Sequence, residues 1–262
     1  MSFFRIIIPN YNNSEWLNKC LGSVLNQAFT DWDLIFIDDC STDDSVGKAG
    51  NIIGNRGMIM VLKDKKWNGG SRNVGLQAYN DSKYTLFLDS DDWFADPTAL
   101  QKLHDFIESE GEPDCVRLSY RVEYDGNKSM PVILTDDNAE KLVKSVFVAC
   151  WTKCIKSELV QPFPENTLME DVVQHIKQCD VIQFPVSVFR ESVVVHNRNN
   201  KNSCTRKENL GAQNGKWQSS MYRYMADLLD LRLSTDYCIK VRDRKASVCL
   251  KHIKENNYTQ SG

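Results

Sequence analysis

The strongest constraint on the fold is the alternation of short apolar runs with amphipathic stretches over the first hundred residues. Four runs rich in β-branched and aromatic residues predict buried strands at 3–8, 33–37, 58–62 and 84–88. Helical spacing predicts four intervening or following helices, which begin near Ser14, Ser41, Gly69-Gly70 and Asp96-Pro97. Such alternation predicts an α/β fold with a mostly parallel central sheet and flanking helices.

The pattern changes after Gly111. Residues 116–134 have the alternation and central turn of a hairpin, and 186–196 read as a further strand or pair of strands. Helical spacing predicts helices at 137–148, at 170–179 and from Lys216 onward. The stretch 239–254 carries six Lys or Arg against one Asp. Without a linker or repeat between these parts, we expect one globular unit in two lobes with a helical C-terminal tail.

Composition excludes several classes of function. A net charge of -3 argues against a protein whose main partner is nucleic acid, because neutralising phosphates requires a basic surface. Nine cysteines, odd in number and without a C-x-x-C pair, are typical of reduced thiols in a cytoplasmic protein. No apolar run approaches the roughly 18 residues of a membrane span, so we expect a soluble chain without a signal peptide.

Carboxylates gather where the predicted strands end. Asp38-Asp39 follow the second strand and Asp89-Ser90-Asp91-Asp92 follow the fourth. Because ligands bind outside the carboxyl ends of strands in open α/β sheets, these side chains should face one site. Crowded carboxylates favour a hard divalent cation, Mg²⁺ or Mn²⁺, which would complete its shell with substrate phosphates. The alternative is helix capping, which we expect for Asp43, Asp44 and Asp96.

Other chemistry-bearing residues are open to two interpretations each. Arg72, in the first turn after the two glycines, fits a phosphate contact, although Asn-Gly is first of all a turn. Glu170-Asp171 fit either catalysis or capping, and His196 fits either a metal ligand or a structural role. Trp151 and Lys153 suit a polar substrate or the core. The chain contains neither a P-loop nor a G-x-G-x-x-G motif, which disfavours a P-loop NTPase and an NAD enzyme.

The ordered blocks of the sequence resemble glycosyltransferase family 2 with the GT-A fold. They are IIIPNYNNSEWLNKCLGSVLNQ, DLIFIDDCSTDDS, NGGSRNVGLQA, YTLFLDSDDWF, CWTKCIKSELV, FPENTLMEDVVQ and VVVHNRNNKNSCT, which span roughly residues 3 to 205. Cys40 stands where members of the family usually have Gly. The resemblance implies metal-dependent, inverting transfer of a sugar from a nucleotide diphosphate donor, most often a UDP-sugar, to a hydroxyl of a glycan, lipid-linked or protein-linked acceptor.

The resemblance also implies roles for individual residues. The Glu-Asp pair would supply the catalytic base, Asp171 first and Glu170 second, while Asp91 and His196 would hold Mn²⁺ or Mg²⁺. Trp151 and Lys153 would lie on the acceptor side. Pro9, Tyr11 and Asp39 would hold the base and ribose of the donor with Asp38 beside them, and Asp89 would lie near the ribose. The remaining donor-binding positions are Asn68, Gly70, Arg72, Ser90, Arg198 and Ser203.

The resemblance divides the chain into a nucleotide-sugar-binding lobe at 1–96, an acceptor and catalytic lobe at 97–205, and a helical tail at 206–262. Two other functions stay open: a nucleotidyltransferase that makes nucleotide sugars, disfavoured by the absence of a glycine- and arginine-rich loop after the first strand, and a non-catalytic nucleotide-sugar-binding protein. The basic tail fits a solvated helix, a dimer contact or a peripheral contact with the inner face of a membrane.

Overall fold

The computed structural model describes residues 1–78, 81–125, 128–134, 149–165, 167, 170–182, 186–201, 203, 223–234 and 236–255. The α-helices in these ranges are α1 (Leu17–Leu25), α2 (Ser45–Ile53), α3 (Trp67–Ala78), α4 (Ala99–Ser109), α5 (Glu170–Val181), α6 (223–229) and α7 (Asp236–Glu255). The strands are β1 (Phe4–Asn10), β2 (Trp32–Asp38), β3 (Met58–Val61), β4 (Tyr84–Phe87), β5 (Trp93–Phe94), β6 (Cys115–Tyr124), β7 (Lys128–Val132), β8 (Lys153–Lys156) and β9 (Ser187–Asn197).

All nine strands belong to one sheet, with the order β3-β2-β1-β4-β8-β6-β9-β5 and with β7 paired to β6. The first four strands in this order are parallel, as predicted. The other half is mixed, because β8 runs antiparallel to both β4 and β6 while β9 runs parallel to β6. Pairing of β4 with β8 and of β5 with β9 carries the sheet across both expected lobes. The α/β prediction is confirmed, and the three-part division stays a prediction.

The four predicted strands of the first half are confirmed: β1, β2 and β4 are largely buried, whereas β3, at the end of the sheet, is half-buried with Val61 exposed. Every residue of β1 is buried. Helix α3 packs directly on this strand at Gly75, where an added Cβ would lie 2.6 Å from Cγ2 of Ile7. This close approach requires glycine and fixes α3 against the sheet.

Two predicted helix starts are wrong. Helix α1 begins at Leu17 without a side-chain cap, and the Ser14 amide instead donates to Asp43 at 3.0 Å. Helix α2 begins at Ser45 rather than near Ser41. Asp43 also accepts a hydrogen bond from the Ser45 amide at 3.0 Å, so capping by this carboxylate is confirmed. The loop after β2 is thereby tied to the loop after β1.

The other two starts are shifted by a few residues. Helix α3 begins at Trp67, so Gly69 and its neighbour lie within its first turn rather than before it. Helix α4 begins at Ala99, and the expected capping by Asp96 takes the form of hydrogen bonds to the amide and hydroxyl of Thr98.

The second half confirms the predicted hairpin, β6 with β7, and the helix at Glu170–Val181. The helix predicted at 137–148 and the start of the one predicted from Lys216 lie outside the described residues. Helices α5, α6 and α7 share a second apolar core, which includes Val173, Leu228 and Cys249. In the described part of the chain, none of the helices combines the length and apolar composition needed to cross a membrane.

Candidate active site

The parallel strands β1, β2 and β4 end at the same edge of the sheet, which brings the predicted polar residues together. Asn10 ends β1, and its amide donates to Asp38 at 2.8 Å and to Ser41 at 3.1 Å. The side chains of Asn10 and Asp38 are almost fully buried. Cys40 follows with a φ of 62°, a left-handed conformation that explains why glycine suits this position. Asn10, Asp38 and Ser41 thus form a hydrogen-bonded cluster at this edge of the sheet.

The residues expected around the donor's base are joined by the segment before α3. Asp39 accepts hydrogen bonds from the backbone amides of Lys66 and Trp67 at 2.6 and 2.9 Å, so it caps the start of this helix. Lys65 Nζ lies 3.5 Å from the Asp39 carboxylate and 2.8 Å from the ring centroid of the exposed Tyr11. Pro9 lies within β1, opposite Ile37.

Asp91 is held by Asn200, which is itself bonded to Asn13 near the start of the chain. Asn200 donates to Asp91 at 2.7 Å and to the side-chain oxygen of Asn13 at 3.1 Å. The amide of Asn13 donates in turn to Ser90 at 2.9 Å. Burial, followed by the charges of Asp92 and Asp89, raises the pKa of Asp91 to about 7. Such crowding is relieved by a cation.

His196 lies beside this cluster with its orientation fixed. Its Nδ1 is 3.1 Å from the fully buried carboxylate of Asp92, and its ring stacks on Trp151 with centroids 5.1 Å apart. Burial lowers the pKa of His196, but its contact with Asp92 outweighs burial and raises that pKa above its usual value. Because Nδ1 is engaged by a carboxylate, Nε2 is the nitrogen suited to a metal.

Arg72 connects the acidic residues after β4 with the acidic pair at the start of α5. Its Nη2 donates to Asp89 at 2.8 Å, while its Nη1 contacts Glu170 at 3.0 Å and Asp171 at 3.4 Å. The guanidinium is only 1% exposed. Burial lowers its pKa, but the surrounding anionic groups outweigh burial and hold the pKa well above its usual value. The sequence suggested a phosphate contact for Arg72, and the structure gives it three carboxylate partners.

The Glu170-Asp171 pair starts α5 and faces this arginine. Burial, followed by the charge of Asp171, raises the pKa of Glu170 to about 7, although Arg72 opposes that rise. Burial also raises the pKa of Asp171, again against the effect of Arg72. Helix α3 packs closely against the start of α5 here, because a Cβ on Gly69 would lie 2.4 Å from the carbonyl oxygen of Pro164 and 3.2 Å from Glu170 Cβ.

The remaining predicted residues differ in exposure. Asn68 is exposed in the first turn of α3, whereas Gly70 is buried beneath Lys66. Arg198 is exposed and its backbone amide donates to Glu123, and Ser203 is half-buried. Trp151 and Lys153, expected on the acceptor side, are both buried. Lys153 Nζ donates to the Ala149 carbonyl at 3.1 Å, and burial lowers the pKa of this lysine.

The residues present fit a divalent cation with few protein ligands. Among the described residues, no three His, Cys, Asp or Glu side chains form a group able to hold a metal by themselves. Asp91 and His196 offer one carboxylate and one imidazole, and hard cations of this kind usually complete their shell with water and substrate phosphates. The set therefore suits a metal that arrives with a phosphorylated ligand.

Sequence reasoning placed Asp92 in the acidic cluster after the fourth strand without a supporting role, and it missed Asn13 and Asn200. Asp92 orients His196, while Asn13 and Asn200 hold Ser90 and Asp91. A signal was present in the asparagine-rich ends of two predicted strands, PNYNN and HNRNN. Amides at strand ends are suited to orienting carboxylates because each can donate and accept.

Comparisons with known proteins agree with this arrangement. The family model described as glycosyl transferase family 2 matches residues 5–155. The chain is 35% identical over 158 residues to poly(ribitol-phosphate) beta-N-acetylglucosaminyltransferase TarP of Staphylococcus aureus, covering 57% of this chain and 47% of that protein. It is 33% identical over 97 residues to the UDP-Glc:alpha-D-GlcNAc-diphosphoundecaprenol beta-1,3-glucosyltransferase WfgD of Escherichia coli, covering 37% of this chain and 38% of that protein. The chain thus matches less than half the length of either relative.

Solved structures show the same fold. S. aureus TarS 1-349 in complex with UDP-GlcNAc superposes with a TM-score of 0.70 at 20% identity, covering 96% of this chain and 73% of that one. The mannosyltransferase PcManGT of Pyrobaculum calidifontis, in complex with GDP-Man and Mn²⁺, gives a TM-score of 0.62 at 10% identity, covering 97% of this chain and 75% of that one. These matches confirm the expected GT-A fold. Since the family model covers more than half of the sequence, the chain belongs to glycosyltransferase family 2.

Proposed function

We propose that the protein is an inverting glycosyltransferase that moves a sugar from a nucleotide diphosphate donor, a UDP-sugar, to a hydroxyl of a glycan, lipid-linked or protein-linked acceptor. The observation that carries this proposal is the convergence of two acidic groups from distant segments. Asp89, at the end of β4, and Asp171, at the start of α5, share the buried guanidinium of Arg72. Donor-side carboxylates and a candidate base therefore lie at one edge of the sheet.

The donor would bind along the ends of β1, β2 and β4. We assign the base and ribose to Pro9, Tyr11, Asp38 and Asp39, with Asp89 near the ribose. The exposed ring of Tyr11 supports this assignment, because it offers a stacking face at the strand edge. Lys65 must shift from that face to admit a base. Toward the diphosphate we assign Asn68, Gly70, Ser90, Arg198 and Ser203.

Asp91 and His196 would hold Mn²⁺ or Mg²⁺ against the diphosphate. A divalent cation there stabilises the negative charge that develops on the leaving phosphate oxygen. Asn200 keeps the Asp91 carboxylate in place, and Asp92 keeps the His196 ring in place. The Mn²⁺ named in the PcManGT structure supports this choice of cation.

Asp171 would take the proton from the attacking hydroxyl, with Glu170 as its partner. Attack from the side opposite the leaving diphosphate inverts the anomeric carbon in one displacement. The close fit of α3 against the start of α5 at Gly69 would help to exclude water, which would otherwise hydrolyse the donor. Trp151 and Lys153 would shape the acceptor side from within, since both are buried.

Whether the enzyme acts at a membrane depends on the molecule to which the acceptor is attached. The names of TarP and WfgD mention a polymer and a lipid diphosphate, respectively. We propose a cytoplasmic enzyme that meets its acceptor at the inner face of a membrane through the basic side of α7, where Lys240, Arg244 and Lys254 are exposed. A contact between two copies of the chain is the alternative use of this surface.

Two measurements test the proposed function. A thermal-shift screen of nucleotide sugars with and without Mn²⁺ should show stabilisation that requires both, and release of nucleoside diphosphate should follow when an acceptor is present. Asp171→Asn should retain donor binding and lose transfer by at least about a hundredfold. The matched control is Asp105→Asn, at an exposed carboxylate on α4. Near-normal transfer by Asp171→Asn would refute the assignment of the base.

A further inference from the structure

Arg72 forms ion pairs with carboxylates from both sides of the site, Asp89 after β4 and the Glu170-Asp171 pair at the start of α5. It projects from the first turns of α3, with one nitrogen on Asp89 and the other shared by Glu170 and Asp171. Its side chain is 1% exposed. This position makes the guanidinium a link between the donor side and the candidate base.

We propose that Arg72 is a positioning residue that holds Asp171 ionised and aimed at the donor side, and that it does not contact the diphosphate. The inference rests on the proposed function, because it presumes that Asp171 is the base. It assigns Arg72 a different task from the phosphate contact expected from its place in a glycine-led helix start.

Both terminal nitrogens of the guanidinium are engaged by carboxylates: Nη1 donates to Glu170 and Asp171, and Nη2 donates to Asp89. Nε has no hydrogen-bond partner, but it is buried within a side chain that is only 1% exposed. A phosphate oxygen that replaced Glu170 on Nη1 would leave a carboxylate that is only 8% exposed without its partner. Such a loss is costly, because a buried charge without its counter-ion keeps its full desolvation penalty.

The backbone around Arg72 is fixed at three points. Asp39 caps the start of α3, Gly75 packs on β1, and Gly69 packs against Pro164 and Glu170. The guanidinium therefore has little freedom to swing from the carboxylates toward a ligand. A rigid arginine is suited to orienting other side chains, because its planar fork fixes both distance and angle.

The charged groups around Asp171 determine its pKa, and hence how the activity should depend on pH if Arg72 positions the base. Asp171 is faced by Arg72 from α3, Asp89 from the end of β4, Lys153 from β8 and Cys150 from the turn before β8, with Glu170 beside it on α5. Arg72 is the nearby cation that most opposes the effect of burial. Its removal should raise the pKa of Asp171 and leave a smaller fraction of the base ionised at neutral pH.

The test compares Arg72→Gln and Arg72→Lys with the unmodified chain, using two readouts. Calorimetry with UDP and Mn²⁺ measures contact with the diphosphate in the absence of a sugar, and kcat measured from about pH 5.5 to 9 follows the ionisation of the base. Arg56→Gln, at an exposed arginine that donates to the Leu25 carbonyl, is the matched control. Circular dichroism establishes that each variant is folded.

We expect Arg72→Gln to bind UDP with an affinity within about threefold of that of the unmodified chain and to lose about a hundredfold in kcat. The acidic limb of its profile of kcat against pH should move upward by about one pH unit. Arg72→Lys keeps the positive charge, so its acidic limb should lie close to that of the unmodified chain. Its kcat should nevertheless stay low, because lysine lacks the planar fork that orients the carboxylates. If Arg72→Gln fails to fold, Arg72→Lys decides through its rate loss at unchanged UDP affinity.

Failure of the inference about Arg72 can be distinguished from failure of the proposed function. A loss of UDP affinity of about tenfold or more in either variant, with the acid limb unmoved, would make Arg72 a diphosphate contact and overturn this inference alone. Absence of transfer by the unmodified chain with every donor would overturn the proposed function, and this inference with it.

Discussion

Glu170 offers the most direct test of the electrostatic reasoning. Its side chain is 8% exposed, and Arg72 Nη1 lies 3.0 Å from Oε1. Burial, and then the charge of Asp171, raises the pKa of Glu170 from 4.5 to about 7. Glu170→Gln removes the charge while keeping the shape of the side chain and an oxygen that can accept from Arg72.

The size of the effect follows from the difference between the folded and unfolded pKa. About 2.5 units at 1.36 kcal/mol per unit is about 3 kcal/mol. Because the folded state binds this proton more tightly, the stability that Glu170 contributes is fully present below pH 4.5 and is lost as the pH rises through 7. Replacing it by glutamine should therefore stabilise the protein by up to about 3 kcal/mol at pH 8 and change little at pH 4.5.

The assay is urea unfolding of the metal-free protein at pH 5 and pH 8, with free energies obtained by linear extrapolation. Glu15→Gln, at an exposed glutamate just before α1, is the control and should have the same pH dependence as the unmodified chain. Equal destabilisation of Glu170→Gln at both pH values would refute the reasoning, because it would mean that pairing with Arg72 outweighs burial and the repulsion from Asp171.

Three further substitutions test the geometry of the site. Gly69→Ala would bring a Cβ within 2.4 Å of a backbone carbonyl and should cost about 1–3 kcal/mol by calorimetry, whereas Gly22→Ala, with no atom within 4 Å, should be neutral or stabilising. Cys40→Gly should stabilise by about 1 kcal/mol or less in the same assay, because φ is 62° there; a loss would contradict this. Asn200→Ala should weaken Mn²⁺-dependent UDP binding about tenfold in calorimetry by releasing Asp91, and unchanged binding would count against that role.

The first half of the fold was predictable because each strand carries its own signal. The run Phe4–Asn10 is mostly apolar and is buried throughout, and its parallel neighbours β2 and β4 are largely buried as well. Helix starts were less predictable, because some of the capping contacts join different loops. Asp43 bonds to both Ser14 and Ser45, and Asp39 caps α3 from the end of β2. Local capping patterns cannot reveal such distant donors and acceptors.

The candidate site was predictable at the level of residue type and strand end. Carboxylates after β2 and β4 pointed to the correct edge, because parallel strands end together. What the sequence could not provide was pairing across the chain. Arg72 and Glu170 are 98 positions apart, and Asp91 and Asn200 are 109 apart. Pairings of this kind depend on how the two halves of the sheet join, which periodicity does not encode.

The balance of charge at the edge leads to a last prediction about the order of binding. Asp91 is crowded by Asp89 and Asp92, and Asp89 shares the buried cation Arg72 with Glu170 and Asp171, so a diphosphate adds negative charge to an acidic site. UDP alone should therefore bind weakly, and its affinity should rise steeply with Mn²⁺ concentration. Calorimetric titration at fixed Mn²⁺ concentrations measures this coupling. Equal UDP affinity with and without Mn²⁺ would mean that protein cations suffice, which the burial and pairing of Arg72 argue against.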